Sequence, residues 1–171
     1  MAKTNEYLRE CLADAVLALL KEKPAGKITA DEIVERAGVG RATYFRAFGS
    51  KGDAKSEAVT YKMIRLWEHW SAQHDVAVRN RFDIANALTF FEYNYSIRHV
   101  LDIIYAAGMQ EAVHESFTRI MMPEEGHSYR EQFYAHGLYG LLDGWIRRGY
   151  QETPEEMAEI LREIVGKPHE E

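Results

Sequence analysis

Residues 29–51 read T-A-D-E-I-V-E-R-A-G-V-G-R-A-T-Y-F-R-A-F-G-S-K. Thr29 stands where a helix N-cap belongs, and Glu32 follows three residues later. Such a pair makes a capping box. The hydroxyl accepts the backbone N–H of Glu32, and the carboxylate accepts that of Thr29. The helix it opens should run to about Ala37, because Gly38 reaches the left-handed conformation that ends helices. A second short helix should follow from about Gly40 to Ala47. Two short helices joined by a tight glycine turn form a helix-turn-helix, whose second helix can enter the DNA major groove. Ile33, Val34, Ala37, Val39, Tyr44 or Phe45, and Phe48 are the apolar positions that would hold this unit together.

Upstream, Leu8, Cys11, Leu12, Ala15, Val16, Leu19 and Leu20 make one apolar stripe at helical spacing, so residues 5–23 read as a helix ended by Pro24 and Gly26. Cys11 lies on that stripe and reads as a buried, inert thiol. As the lone cysteine it excludes an intrachain disulfide and suits a reducing compartment. Downstream, Ser50 and Asp53 repeat the capping pattern for a helix over 51–74, with Ala54, Ala58, Tyr61, Ile64, Trp67 and Trp70 facing inward. The polar run 73–81 reads as a joint. Helices are then expected over 82–95, 97–106, 109–122 and 127–148. A last one, opened by Thr153-Pro154-Glu155-Glu156, should run to about Val165. Nothing reads as a strand. The expected fold is all-α, with about nine helices.

The run A-G-V-G-R-A-T-Y-F-R-A-F-G-S-K, residues 37–51, resembles the TetR/AcrR family of bacterial transcriptional repressors. Ala37, Gly38, Val39, Thr43, Phe48, Ser50 and Lys51 carry the match. The resemblance implies a three-helix DNA-binding domain over residues 1–50 and a helical effector-binding and dimerisation domain over 51–171. It also implies a homodimer that binds a near-palindromic operator and releases it when a small-molecule effector enters the body. The chain departs from the family pattern at Phe45, where a Tyr usually meets a phosphate, at Ala47, which replaces a His or Tyr, and at Gly40, which replaces a Ser N-cap. Those departures keep a second reading in view: a TetR-fold binding or interaction protein with weakened or lost DNA binding.

By position in the motif, Arg41, Thr43 and Tyr44 fall on the first turns of the second helix of the motif, where base contacts occur. Arg pairs bidentately with guanine O6 and N7, and the Thr methyl suits a thymine methyl. Lys27, Thr29, Arg46, Ser50 and Lys51 flank that surface and are placed for phosphates. The aromatic-rich body permits an apolar effector pocket. Its expected residues are Trp67, Trp70, Phe90, Tyr93, His99, Tyr105, Phe117 and Phe133, with His69 and His114 as further polar anchors. Gly137, Gly140 and Gly144 lie within one helical stretch, and each interior glycine costs about 1 kcal/mol against Ala. Three of them point to close approach of another backbone. In the resembled family the last two helices form the dimer contact. The expected interface here is Leu138, Gly140, Leu141, Gly144, Trp145, Met157, Ile160, Leu161 and Ile164.

The 171 residues carry a net charge of −6, unevenly spread: +2 over residues 1–55 and −8 over the rest. A mildly basic head on an acidic body suits a protein that places only its head on DNA. No apolar run approaches the ~20 residues needed to span a bilayer, and the N-terminus M-A-K-T-N-E lacks a signal-peptide core, so a cytoplasmic protein is expected. The seven histidines show no H-x-x-x-H or H-E-x-x-H spacing. No Ser/His/Asp set, paired carboxylates or Gly-rich phosphate loop stands out. Neither a metal, a cofactor nor a catalytic activity is expected, and the expected partners are duplex DNA, a second copy of the chain and an effector of unidentified chemistry.

Overall fold

The computed structural model describes residues 2–49, 54–74, 76 and 81–166, with side chains from residue 5 onward. Among them are nine α-helices and no strand: α1 (Ala2–Leu20), α2 (Ala30–Ala37), α3 (Arg41–Phe48), α4 (Ala54–Gln73), α5 (Ala87–Ser96), α6 (Arg98–Ala106), α7 (Gln110–Met121), α8 (Tyr129–Arg147) and α9 (Pro154–Val165). Short 3-10 turns at Ala25–Lys27 and Ile84–Asn86 precede α2 and α5. The fold is all-α.

The helices begin and end where backbone chemistry requires. Thr29 Oγ1 accepts from Glu32 N at 3.3 Å, and Glu32 Oε2 accepts from Thr29 N at 2.9 Å. Gly38 adopts φ +67°, and the N–H groups of Gly38 and Val39 return to the carbonyls of Glu35 and Val34. This double bond pattern satisfies the last carbonyls of α2. Thr153 and Glu156 form a capping box with Pro154 at the first helical position of α9. Ser128 and Glu131 form another at α8, which the sequence reading missed because it started that helix at His127. The helix expected over 82–95 starts instead at Ala87. Asp83 accepts from Ala85 N at 2.9 Å and holds residues 84–86 in a 3-10 turn. The expected cap of α4 at Ser50 and Asp53 lies outside the described residues.

The chain forms two compact units. The first takes residues from 1–66 and 99–116, the second from 67–98 and 117–171. In the first unit α1 packs on α2 and α3, and α2 on α3. Leu12, Val16 and Leu19 of α1 meet Ile28, Ile33, Tyr44 and Phe48 in its interior. Ala58, Val59 and Met63 of α4 are also buried, and Thr60 Oγ1 donates to the Ala112 carbonyl at 3.3 Å. Tyr61, Ile64, Trp67 and Trp70, expected to face inward from α4, are only half-buried. Cys11 is half-buried too, rather than buried as its stripe suggested.

An ionic cluster joins α1 to the first half of α4. Glu10 accepts from Lys62 Nζ and from Arg65 Nε, both at 2.9 Å. Asp14 pairs with Lys62 at 2.9 Å, and Glu6 with Arg65 at 2.8 Å. Burial pushes the Glu10 carboxyl up, but the hydrogen bonds from Lys62 and Arg65 outweigh it and leave the group below the ordinary value.

In the second unit α5 packs along α9. Its centre is Trp145, fully buried, with Phe91, Tyr95 and Tyr150 at ring-centroid distances of 5.5, 5.9 and 5.2 Å. Trp145 Nε1 donates to the Glu152 carbonyl at 3.0 Å, so the indole N–H is satisfied inside the core. Leu138, Leu142, Met157 and Leu161 complete the apolar interior.

Candidate nucleic-acid interface and ligand cavity

The turn between α2 and α3 presents the first face of α3 outward. Arg41, the first residue of α3, is exposed and pairs with Asp31 of α2, Nη1 to Oδ1 at 2.7 Å. Its guanidinium carbon also lies 5.6 Å from the centroid of the Phe45 ring. Arg46 is exposed and sits within 3.5 Å of the half-buried Thr43 hydroxyl. Lys27 and Thr29 are exposed beside α2. Ser50 and Lys51 lie outside the described residues.

Tyr44 corrects the sequence reading. Its side chain is 2 % exposed and packs between the Phe45 and Phe48 rings, at 5.2 and 6.2 Å, so it belongs to the head's core and offers no base contact. The outward aromatic at this turn is Phe45, half-buried under Arg41. Gly40 caps α3 without any side-chain hydrogen bond, as its missing hydroxyl dictates.

The head's charges are largely paired. Arg36 meets Glu22 at 2.7 Å, and Lys23 bonds Glu32. The Lys23 hydrogen bond, together with those from Thr29, lowers the Glu32 carboxyl from 4.5 to about 2. Lys55 Nζ donates to the carbonyls of Ala25 and Ile28, at 2.8 and 3.1 Å, tying the loop before α2 to α4. Among the described residues, Lys27, Arg41 and Arg46 are exposed cations on or near α3.

A cavity of about 490 Å³, solvent at its mouth included, lies within the second unit. Trp67, Phe90, Ile120, Met121, Tyr134 and Leu138 supply its apolar lining. Arg81, Asp83, Asn86 and Thr89 add polar lining from residues 81–89. Burial, and next the Asp83 charge, pushes the Tyr134 hydroxyl pKa up.

Of the expected pocket residues, Trp67 and Phe90 line this cavity. Trp70, Tyr93 and Phe117 stand behind them. Trp70 and Tyr93 lie 6.1 and 5.0 Å from Trp67, and Phe117 lies 5.9 Å from Phe90. Burial raises the Tyr93 hydroxyl far above its ordinary range. Phe133 is a correction: it is 79 % exposed, because the next residue, Tyr134, takes the inward position on α8. His99 is exposed and Tyr105 half-buried, and both belong to the first unit rather than to the cavity. Of the further anchors, His69 is exposed and His114 half-buried. Residues 81–89 escaped the sequence reading because Arg81 was assigned to the joint 73–81 and residues 82–89 to a continuous helix. The Asp83-Ile84-Ala85 cap was the signal that could have revealed them.

The expected interface divides in two. Leu138, Trp145, Met157 and Leu161 are all at most 3 % exposed and form the interior of one chain, so they are corrected to core residues. Gly140 and Ile164 are exposed, Ile164 by 64 %, and Leu141, Gly144 and Ile160 are half-buried. Among the described residues, leaving aside the chain neighbours and α8's own nearby backbone, no heavy atom lies within 4 Å of a Cβ built at Gly137, Gly140 or Gly144. Tyr129 and Phe133 extend the same stripe toward the start of α8, both largely exposed.

All-helical among the described residues, with an N-terminal helix-turn-helix and further helices after it, the chain matches two family models of transcriptional regulators. The model for bacterial regulatory proteins of the tetR family matches residues 12–53, and one for a transcriptional regulator C-terminal region of the same family matches residues 84–167. Together they span well over half of the chain, which belongs to the TetR family of DNA-binding transcriptional regulators. No curated protein and no solved structure matches it significantly. Among the described residues, no helix is long and apolar enough to cross a membrane.

Proposed function

We propose that the chain is a cytoplasmic, ligand-responsive repressor that binds a near-palindromic operator as a homodimer and is released by a small-molecule effector. The observation that carries the DNA reading is the exposed Arg41 at the first turn of α3, with Arg46 and Lys27 beside it. The N-terminal residues of a recognition helix meet base edges, and a two-fold dimer meets two inverted half-sites. Arg41 and Thr43 take the base-reading role; Lys27, Thr29, Arg46, Ser50 and Lys51 take phosphates. Domain roles follow the same division: residues 1–50 for DNA, 51–171 for effector and dimer.

The dimer reading is supported by the glycines of α8. Among the described residues, apart from the chain neighbours and α8's own backbone, nothing lies within 4 Å of a Cβ built at Gly137, Gly140 or Gly144, which argues against intrachain crowding as the reason for three helix-weakening residues. Contact with a second copy would account for them, with Leu141 of α8 and Ile160 and Ile164 of α9 taken as further contact residues. The effector reading rests on the cavity lined by Trp67, Phe90 and Tyr134. An effector acts only through its preference for the state with mis-spaced heads.

Gly40, without a side-chain cap, and the missing hydroxyl at Phe45 favour one other reading, a TetR-fold binding module with weakened DNA binding. Fluorescence anisotropy on duplexes from upstream of the chain's own gene, titrated with salt, separates the two. Two chains per duplex and affinity falling steeply with salt support the repressor. Affinity that stays weak at low salt on these duplexes and on genomic fragments selects the binding module.

A further inference from the structure

Asp31 is a carboxylate on the face that the proposed function turns toward DNA, where a negative charge opposes phosphate. Its side chain is 74 % exposed, so core packing does not explain it. Its one described contact joins α2 to α3: Oδ1 accepts from Arg41 Nη1 at 2.7 Å. Arg41 opens a helix whose first turn holds no acidic residue. A cation there is disfavoured by the helix dipole, and the Asp31 carboxylate offsets that disadvantage from the neighbouring helix. The Phe45 ring supports the guanidinium on a second side. One donor and one face are thus occupied, and the planar fork retains further donors in a restricted orientation.

We propose that Asp31 is a specificity-determining positioning residue: it orients Arg41 for bidentate pairing with a guanine while weakening attraction to DNA of any sequence. The proposal rests on the DNA-binding reading above. A flexible exposed Arg would pair with phosphates and bases alike. One held by Asp31 and Phe45 presents its remaining donors along a single direction, which suits O6 and N7 of one guanine. The carboxylate adds a penalty toward phosphates that every sequence shares. Discrimination therefore rises while overall affinity falls, a trade that specificity by repulsion predicts.

The test uses the full-length protein and a duplex selected by the wild type from a random-sequence pool. Anisotropy measures affinity for that duplex, for single-base-pair substitutions across it, and for a scrambled duplex. Asp31→Asn should bind scrambled DNA more tightly. It should also lose about tenfold in discrimination at one base pair per half-site, within the range of a bidentate contact. Arg41→Ala should lose discrimination at the same base pair, and adding Asp31→Asn to it should change discrimination no further. Asp31→Glu, which keeps the charge in the first turn of α2, should restore part of the preference at that one base pair, whereas a purely structural role would move affinity for all duplexes together. Circular dichroism checks that each variant keeps its helix content; if Asp31→Asn does not, Asp31→Ser replaces it. Unchanged discrimination at every base pair in the folded variant overturns the proposal and leaves the DNA-binding reading standing. A wild type that selects no sequence overturns both.

Discussion

Replacing Trp145 by Phe tests whether this residue holds one chain together or joins two. In the structure it is fully buried, its Nε1 donates to the Glu152 carbonyl at 3.0 Å, and Phe91, Tyr95 and Tyr150 surround its ring. Trp145→Phe keeps an aromatic ring but removes the donor and part of the indole. The lost hydrogen bond costs about 1 kcal/mol, and the void left by the missing ring atoms costs about 2 more. The sum, about 3 kcal/mol, should lower the melting temperature by about 6–12 °C for a chain of this length. Thermal unfolding followed by far-UV circular dichroism reads the shift and urea unfolding the free energy, at one fixed chain concentration because association makes stability depend on concentration. Sedimentation equilibrium on the same samples should show an unchanged dissociation constant. A stability loss below about 0.5 kcal/mol, or weakened association with an unchanged chain fold, would refute the core assignment and return Trp145 to the interface.

Glu32 makes the head acid-sensitive. Its carboxyl sits at about 2 in the folded chain against an ordinary 4.5, so its contribution is complete above 4.5 and is lost as pH falls through about 2. Glu32→Gln should therefore be less stable at pH 6 and show a shallower loss between pH 4.5 and 2, read from melting temperatures across that range. Gly140→Leu places a bulky side chain where the chain itself leaves open space. It should keep the helix content yet shift sedimentation from dimer to monomer, and retention of a wild-type dimer would count against the α8 face. Trp67 lines the cavity and Phe133 does not. A small aromatic compound that quenches tryptophan emission should lose affinity about tenfold in Trp67→Ala, the ~1–1.5 kcal/mol an aromatic contact contributes, and keep it in Phe133→Ala. Equal effects of the two substitutions would contradict the cavity assignment.

Local signals carried most of the fold. The Thr29–Glu32 box, Gly38 and Thr153-Pro154 act within a few residues of themselves, so helix starts and stops could be read from spacing alone. Which side of a helix faces inward depends on partners far along the chain, and there the sequence was ambiguous. Tyr44 and Phe45 are adjacent aromatics, and only packing on Phe48 decides that Tyr44 turns inward. Phe133 and Tyr134 pose the same choice on α8, where the inward position falls to Tyr134. Trp145 and Met157 share stripes with residues of the outer face, and apolarity does not distinguish a core from an interface. The Asp31–Arg41 pair spans two helices ten residues apart, a separation at which no periodicity links the two charges.

Selection of duplexes from a random-sequence pool by the full-length wild type is the most direct test of the central claim. One near-palindromic sequence with two inverted half-sites should be enriched, bound by two chains and lost on Arg41→Ala. A pool that stays random at low salt, with a correctly folded protein, would contradict it.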